Sequence, residues 1–245
     1  MRLVLFDADG TLVDSQAIIH ESMRLTFARF GYAEPALLQT RSIIGLTLDR
    51  AIATILGREI DPEIVEMVQE YKDIYIQLAP REDMQTRAFD GIPELIHRLA
   101  ADPRVVLGIV TGKSRRGVER LLATNGFGNC FVVSRCADDC PSKPHPAMVL
   151  ECCDQTGIAP INTLVVGDTS FDMEMAASAG AAAIGVSWGY HPLEKLIAPY
   201  VRAVVDTPED LEDGIVAWKQ GFRAAGSSNR VAALADVARA HFLYA

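Results

Sequence analysis

Three carboxylates, Asp7, Asp9 and Asp14, crowd the stretch that follows the apolar run Leu3-Val4-Leu5-Phe6, with Gly10 and Thr11 between them. Like charges gathered at the end of a buried strand raise one another's cost of ionisation, so the cluster is expensive unless a cation or a reaction needs it. By itself the segment reads equally well as a solvated strand-to-helix turn, because Asp, Gly and Thr are common turn and cap residues. Three further strand-like runs lead into residues of a similar kind. Leu107 to Val110 runs into Thr111-Gly112-Lys113-Ser114, Phe131 to Val133 is followed downstream by Ser142-Lys143-Pro144-His145-Pro146, and Thr163 to Val166 ends in Gly167-Asp168-Thr169-Ser170-Phe171-Asp172. Ligands of an open parallel sheet bind beyond the carboxyl ends of its strands, so these four segments would share one edge. Turn chemistry accounts for any one of them but not for all four with these residue types.

The elements that would carry those segments fall into two kinds. Residues 15 to 85 show helical spacing of apolar side chains: Ile18, Ile19, Met23, Leu25, Phe27 and Phe30, then Leu48, Ile52, Ile55 and Leu56, then Ile64, Val65, Val68, Tyr71 and Tyr75. Gly31, Gly45, Gly57 and the pair Asp61-Pro62 punctuate these helices, and no strand candidate lies among them. From about residue 86, strands alternate with helices, with strand candidates at 105–110, 131–133, 163–166, 182–186 and 203–205. Continuous apolar runs of this kind belong to a parallel sheet covered on both faces. The expected fold is therefore α/β: a doubly wound, Rossmann-like parallel sheet formed by 1–14 and 86–245, interrupted by an all-helical insertion at 15–85. Gly and Ser loosen the chain near 221–229, and beyond them Val231, Leu234, Ala235, Ala238 and Phe242 predict a terminal amphipathic helix docked on the core, the commoner outcome, or on a partner.

Composition narrows the function classes. The chain has 245 residues, 49% hydrophobic and 22% charged, enough for one sizeable core with a small second unit. A net charge of -9, with 23 Lys and Arg spread along the chain, gives a nucleic-acid role little electrostatic support. No stretch approaches the roughly 18 apolar residues of a membrane span, and the N-terminus enters a strand with no basic and apolar leader, so a cytoplasmic location is expected. Cys130, Cys136, Cys140, Cys152 and Cys153 form no C-x2-C pair of a zinc site and are read as reduced thiols. His20, His97, His145 and His191 show no partner pattern and are assigned surface or structural roles.

In this order, the four segments resemble the motifs of the haloacid-dehalogenase superfamily of phosphohydrolases. D-x-D-G-T is matched by Asp7 to Thr11, the Thr or Ser after a strand by Thr111 with Gly112, the Lys by Lys143, and G-D-x-x-x-D by Gly167, Asp168 and Asp172. The resemblance extends to about residue 215, and the helical insertion stands where one subgroup carries its cap domain. It implies that Asp7 is the nucleophile forming an aspartyl-phosphate, and that Asp9 protonates the leaving alcohol and then deprotonates the attacking water. It implies Mg2+, held by a carboxylate oxygen of Asp7, the backbone carbonyl of Asp9 and Asp168, with Asp172 ligating or bracing. The hard oxygen donors suit that ion. Thr111, the Gly112 amide and Lys143 would hold the phosphoryl oxygens. Thr111 is also a candidate N-cap for the helix starting near Ser114, Asp168 or Thr169 for the next one, and Asp14 for the first helix of the insertion.

Within that family, Asp9 argues against dehalogenases and phosphonatases, which lack the second aspartate. Sugar-phosphate mutases carry His and Arg at the positions of Ile19 and Leu48, so a mutase is disfavoured, and an inorganic pyrophosphatase remains an alternative on the same core. The pattern most resembles the phosphoglycolate phosphatase-like branch, without a residue that selects one ester. A small phosphorylated metabolite is the expected partner, for a monomer or a homodimer. Both junctions of the insertion lie beside strand ends, so it should sit over the site, with Arg41 and Thr47 around Gly45 reading the rest of the substrate.

Overall fold

The computed structural model describes residues 1–221, and the terminal helix expected beyond them lies outside the described residues. Strand β1 (Arg2–Phe6) is followed by a two-residue strand, β2 (Val13–Asp14), and then by four helices, α1 (Gln16–Arg29), α2 (Leu37–Arg41), α3 (Leu48–Leu56) and α4 (Pro62–Leu78). The chain returns through β3 (Arg87–Ala88), which pairs antiparallel with β2, Val13 against Ala88 and Asp14 against Arg87. The two passages between sheet and helices are thus zipped side by side. This ladder was not expected from sequence, because strands of two residues carry no periodicity.

Thereafter come α5 (Ile92–Ala100), β4 (Val105–Val110), α6 (Arg115–Thr124), β5 (Phe131–Arg135), α7 (Ala147–Thr156), β6 (Thr163–Gly167), α8 (Ser170–Ala179), β7 (Ala182–Val186), α9 (Leu193–Leu196), β8 (Val201–Val205) and α10 (Pro208–Lys219). The sheet order is β5-β4-β1-β6-β7-β8 with every pairing parallel. Chain order runs outward from β1 through β4 to β5, then crosses to β6 on the other side. Strands β5 and β8 take in Ser134, Arg135 and Arg202, beyond the apolar runs that announced them. They are the edges of the sheet, where polar side chains meet water at little cost.

The alternation of side chains along β1 explains why its run is apolar throughout. Val4 and Phe6 join one cluster with Ile92 and Leu95 of α5 and Leu211 and Ile215 of α10. Leu3 and Leu5 enter the opposite cluster with Met148 of α7 and Met173 of α8. The four helices of the insertion have an apolar core of their own, built from Ile19, Met23 and Phe27 of α1, Ile52 of α3, and Ile64, Met67 and Tyr71 of α4. Tyr190, from the loop after β7, joins that core. Asp61 caps α4 by accepting from the Ile64 N–H at 2.9 Å, with Pro62 at the first helical position, as the Asp-Pro pair foretold. Among the described residues, no helix is long and apolar enough to cross a membrane.

Candidate active site

Asp7 continues β1 for one more ladder bond, its N–H donating to the Val166 carbonyl at 2.9 Å, so its side chain emerges between β1 and β6. This is the switch point of the sheet, where a crevice opens at the carboxyl edge. The chain then turns through Gly10 at φ +83°, a conformation L side chains rarely adopt, and a Cβ there would overlap the Asp168 carboxylate. That close approach lets the Thr11 hydroxyl donate to Asp168 Oδ1 at 2.9 Å, while the Tyr190 N–H donates to Asp168 Oδ2 at 2.8 Å. One turn into α8, Asp172 Oδ2 accepts from the Thr169 hydroxyl at 2.7 Å and from its N–H at 3.3 Å, a capping box that fixes the carboxylate. Thr169 is the N-cap of α8.

Lys143 brings a cation into this acid cluster. Its Nζ lies 2.7 Å from Asp7 Oδ1 and 2.7 Å from Asp172 Oδ1, in a residue only 2% exposed. Burial works to lower its pKa, but Asp172 and Asp7 outweigh burial and hold it above the usual lysine value. Carboxylate oxygens of Asp7, Asp168 and Asp172 all lie within 4.8 Å of one another, and all three residues are fully buried. Burial raises Asp7 to about 7 against the opposing pull of Lys143, with Asp172 adding to the rise. Burial, then the charges of Asp7 and Asp172, push Asp168 well above the ordinary carboxylate value. Apart from the Lys143 ammonium, which reaches Oδ1, the buried carboxylate of Asp7 meets no hydrogen-bond donor among the described residues. A buried carboxylate oxygen without a donor, among three clustered acids, fits a hard divalent cation such as Mg2+.

Asp9 faces a different set of partners. Its Oδ1 receives Lys113 Nζ at 2.6 Å and also the Ser15 hydroxyl. Its side chain stands outside the three-acid cluster, so a metal would reach Asp9 only through the backbone carbonyl. Thr111 is fully buried after β4. Its Oγ1 accepts from the Lys113 N–H at 3.2 Å, while Ser114 takes the N-cap of α6 by accepting from the Gly117 N–H at 3.3 Å. The capping alternative for Thr111 therefore falls away, leaving its hydroxyl beside the site.

The helical insertion closes on three of these loops at once. A Cβ on Gly112 would overlap the Leu46 carbonyl, the Thr47 N–H donates to the Ser142 hydroxyl at 2.9 Å, and a Cβ on Gly45 would stand 3.3 Å from Thr169 Oγ1. The loop between α2 and α3 thus presses its backbone onto the segments bearing Thr111, Lys143 and Asp168. The model of the haloacid dehalogenase-like hydrolases matches residues 4–186, from the start of β1 to the end of β7. The chain belongs to that family. It is 31% identical over 219 residues to the N-acetylmuramic acid 6-phosphate phosphatase of Pseudomonas aeruginosa, covering 87% of this chain and 94% of that one. It is 30% identical over 195 residues to the phosphoglycolate phosphatase of Xylella fastidiosa, covering 79% and 83%. Among solved structures, a β-phosphoglucomutase from Clostridium difficile superposes with a TM-score of 0.74 at 20% identity, covering 90% of this chain and 97% of the other, a likeness of fold alone.

For a haloacid dehalogenase-like hydrolase, the residues singled out in the sequence are gathered as its motifs imply: Asp7, Asp9, Lys143, Asp168 and Asp172 meet at one edge, with Thr111 and Gly112 adjoining. Arg41 and Thr47 are engaged elsewhere. Arg41 Nε donates to the Gln16 side chain, and the Thr47 hydroxyl donates to Asp49 at 2.6 Å, so the loop meets the core by its backbone. Asp14 does accept an N–H of α1, from Gln16 at 3.1 Å, although the N-cap position itself is Ser15. The sequence reading missed Lys113, Ser15 and Tyr190, and named Thr169 only as a cap, the position it takes at the head of α8. Lys113 stood inside a segment already marked, whereas Ser15 and Tyr190 carried no signal, since they reach the site only through folding. His191 is structural: it is buried, it accepts at Nδ1 from the Ser170 N–H at 3.2 Å, and it packs edge-on against Phe171.

Proposed function

We propose that this hydrolase is a Mg2+-dependent phosphatase that cleaves a small phosphate monoester by transferring the phosphoryl group to Asp7. The observation that carries the reading is the Asp7 carboxylate itself, fully buried, with Lys143 at one oxygen and no donor at the other. A carboxylate kept so costs free energy that a merely structural residue would not repay, whereas a nucleophile needs a free lone pair. Mg2+, held by Asp7, the Asp9 carbonyl, Asp168 and Asp172, would neutralise charge on the phosphoryl oxygens. The Lys143 ammonium, the Thr111 hydroxyl and the Gly112 amide orient the same oxygens and balance the charge that grows on them. Asp9 gives its proton to the departing alcohol oxygen and then takes one from the water that attacks the aspartyl-phosphate. The loop around Gly45 closes over Gly112, Ser142 and Thr169 and keeps bulk water from the intermediate.

Ile19 lies in the apolar core of the helical insertion and Leu48 packs against it, so neither position offers the polar group that a mutase carries there. That supports hydrolysis over phosphoryl return. The named activities of the curated relatives point to phosphoglycolate-like or sugar-acid phosphates as the first esters to try. The cysteines are all free thiols, which suits a reducing, cytoplasmic setting. The test is turnover of a broad panel of metabolite phosphates with and without Mg2+, by the wild type and by Asp7→Asn. The substitution should remove several orders of magnitude in rate while the fold persists. Substantial residual turnover by Asp7→Asn would refute the role of Asp7.

A further inference from the structure

Tyr190 stands in the loop between β7 and α9, is 8% exposed, and touches three parts of the molecule with three different groups. Its N–H donates to Asp168. Its hydroxyl accepts from the Ser15 N–H at 2.8 Å and donates to Asp14 Oδ1 at 3.0 Å. Its ring lies in the apolar core of the helical insertion with Ile19, Met23 and Ile44. Ser15 in turn donates its hydroxyl to Asp9.

A serine at the N-cap ordinarily accepts an N–H of the first turn with its side chain, worth about 1 kcal/mol. Ser15 forgoes that bond, while Asp14 accepts the N–H of Gln16, the first residue of α1. A local preference broken beside a reacting group marks a residue held for another purpose. Tyr190 sustains this arrangement from both sides, supplying an acceptor for the Ser15 N–H and a donor that pins the Asp14 carboxylate. Asp14 and Ser15 lie where the chain passes from the sheet into the helices, the former within the β2–β3 ladder.

We propose that Tyr190 is a positioning residue for Asp9: through Asp14 and Ser15 its hydroxyl holds the Asp9 carboxylate in place for proton transfer, while its ring makes that placement depend on the helical insertion being seated. The inference rests on the reading of Asp9 as acid and base of the phosphatase reaction.

The test compares phenyl phosphate with p-nitrophenyl phosphate in the presence of Mg2+, two esters of similar shape whose leaving oxygens differ in their need for a proton. Tyr190→Phe keeps the ring and removes only the hydroxyl, so the protein should melt near the wild-type temperature. Its loss in kcat/KM should be roughly tenfold greater on phenyl phosphate than on p-nitrophenyl phosphate. Ser15→Ala should show the same selective loss, and this carries the test if Tyr190→Phe does not fold. The double variant should fall no further than Ser15→Ala alone, to within about twofold, because the two residues act in series. Equal losses on the two esters, no loss on either, or additive losses in the double variant would overturn the inference. A wild-type protein that hydrolyses neither ester would overturn the phosphatase reading and this inference with it.

Discussion

Replacing Lys143 by Met removes the one ammonium that touches both Asp7 and Asp172 and leaves its aliphatic stem roughly filled. At a separation of 2.7 Å, each ion pair contributes on the order of 6 kcal/mol of Coulomb attraction at an effective dielectric constant of about 20. Most of that offsets the cost of burying the three charges, so the net loss on truncating the cation is about 3–5 kcal/mol, chiefly from carboxylates left buried and unpaired. For a chain of this size the loss corresponds to a fall of roughly 10 °C in melting temperature. The sign of the pH dependence follows from Asp7, raised from its ordinary value of 3.8 to about 7, by burial first, against the pull of Lys143. A carboxyl group raised in this way favours the folded state below its unfolded value and loses that contribution as pH climbs through the folded value. Without Lys143 the folded value moves higher still, so the deficit of Lys143→Met opens at about pH 8 and narrows at about pH 5, where Asp7 is protonated in both proteins. Thermal melts in EDTA at the two pH values measure it, and added Mg2+ should recover part of the deficit at the higher pH. A deficit equal at both pH values would show that lost packing, rather than the stranded charges, sets the cost, and no deficit at all would refute the ion-pair reasoning.

In the wild type, burial raises Asp7 and also Asp168, so the melting temperature in EDTA should fall between about pH 5 and about pH 8 and be restored by Mg2+ only at the higher value. A melting temperature flat across that range in EDTA, or equal stabilisation by Mg2+ at both ends, would contradict the assignment. Gly112→Ala sets a methyl group against the Leu46 carbonyl and keeps the loop around Gly45 from seating, with an expected loss of roughly tenfold or more in kcat/KM at little change in melting temperature. Steady-state kinetics indistinguishable from wild type would mean that seating of this loop does not govern turnover.

The sequence determined which residues sit at which strand ends, and with them most of the site. Runs such as Leu3 to Phe6 and Thr163 to Val166 are apolar at every position because both faces of each strand are covered, and that pattern survives in one dimension. Once the strands are located, Asp7, Thr111, Lys143 and Asp168 must meet, because a parallel sheet brings all its carboxyl ends to one edge. Only the tertiary structure decided what surrounds them. Asp7 and Asp9, two residues apart, would share one face of a continuing strand, but β1 ends at Phe6 and the chain turns through Gly10, so they take different partners, Lys143 and Lys113, from different loops. Arg41, whose charge made it the natural choice for reading a substrate, is bound by Gln16, while the contacts that close the site come from the backbone of Leu46 and Thr47. Backbone contacts leave no trace in residue type beyond the glycines that permit them. The link from Tyr190 to Ser15 spans most of the described chain, and no local periodicity encodes a hydrogen bond between residues that only the closing of the fold brings together.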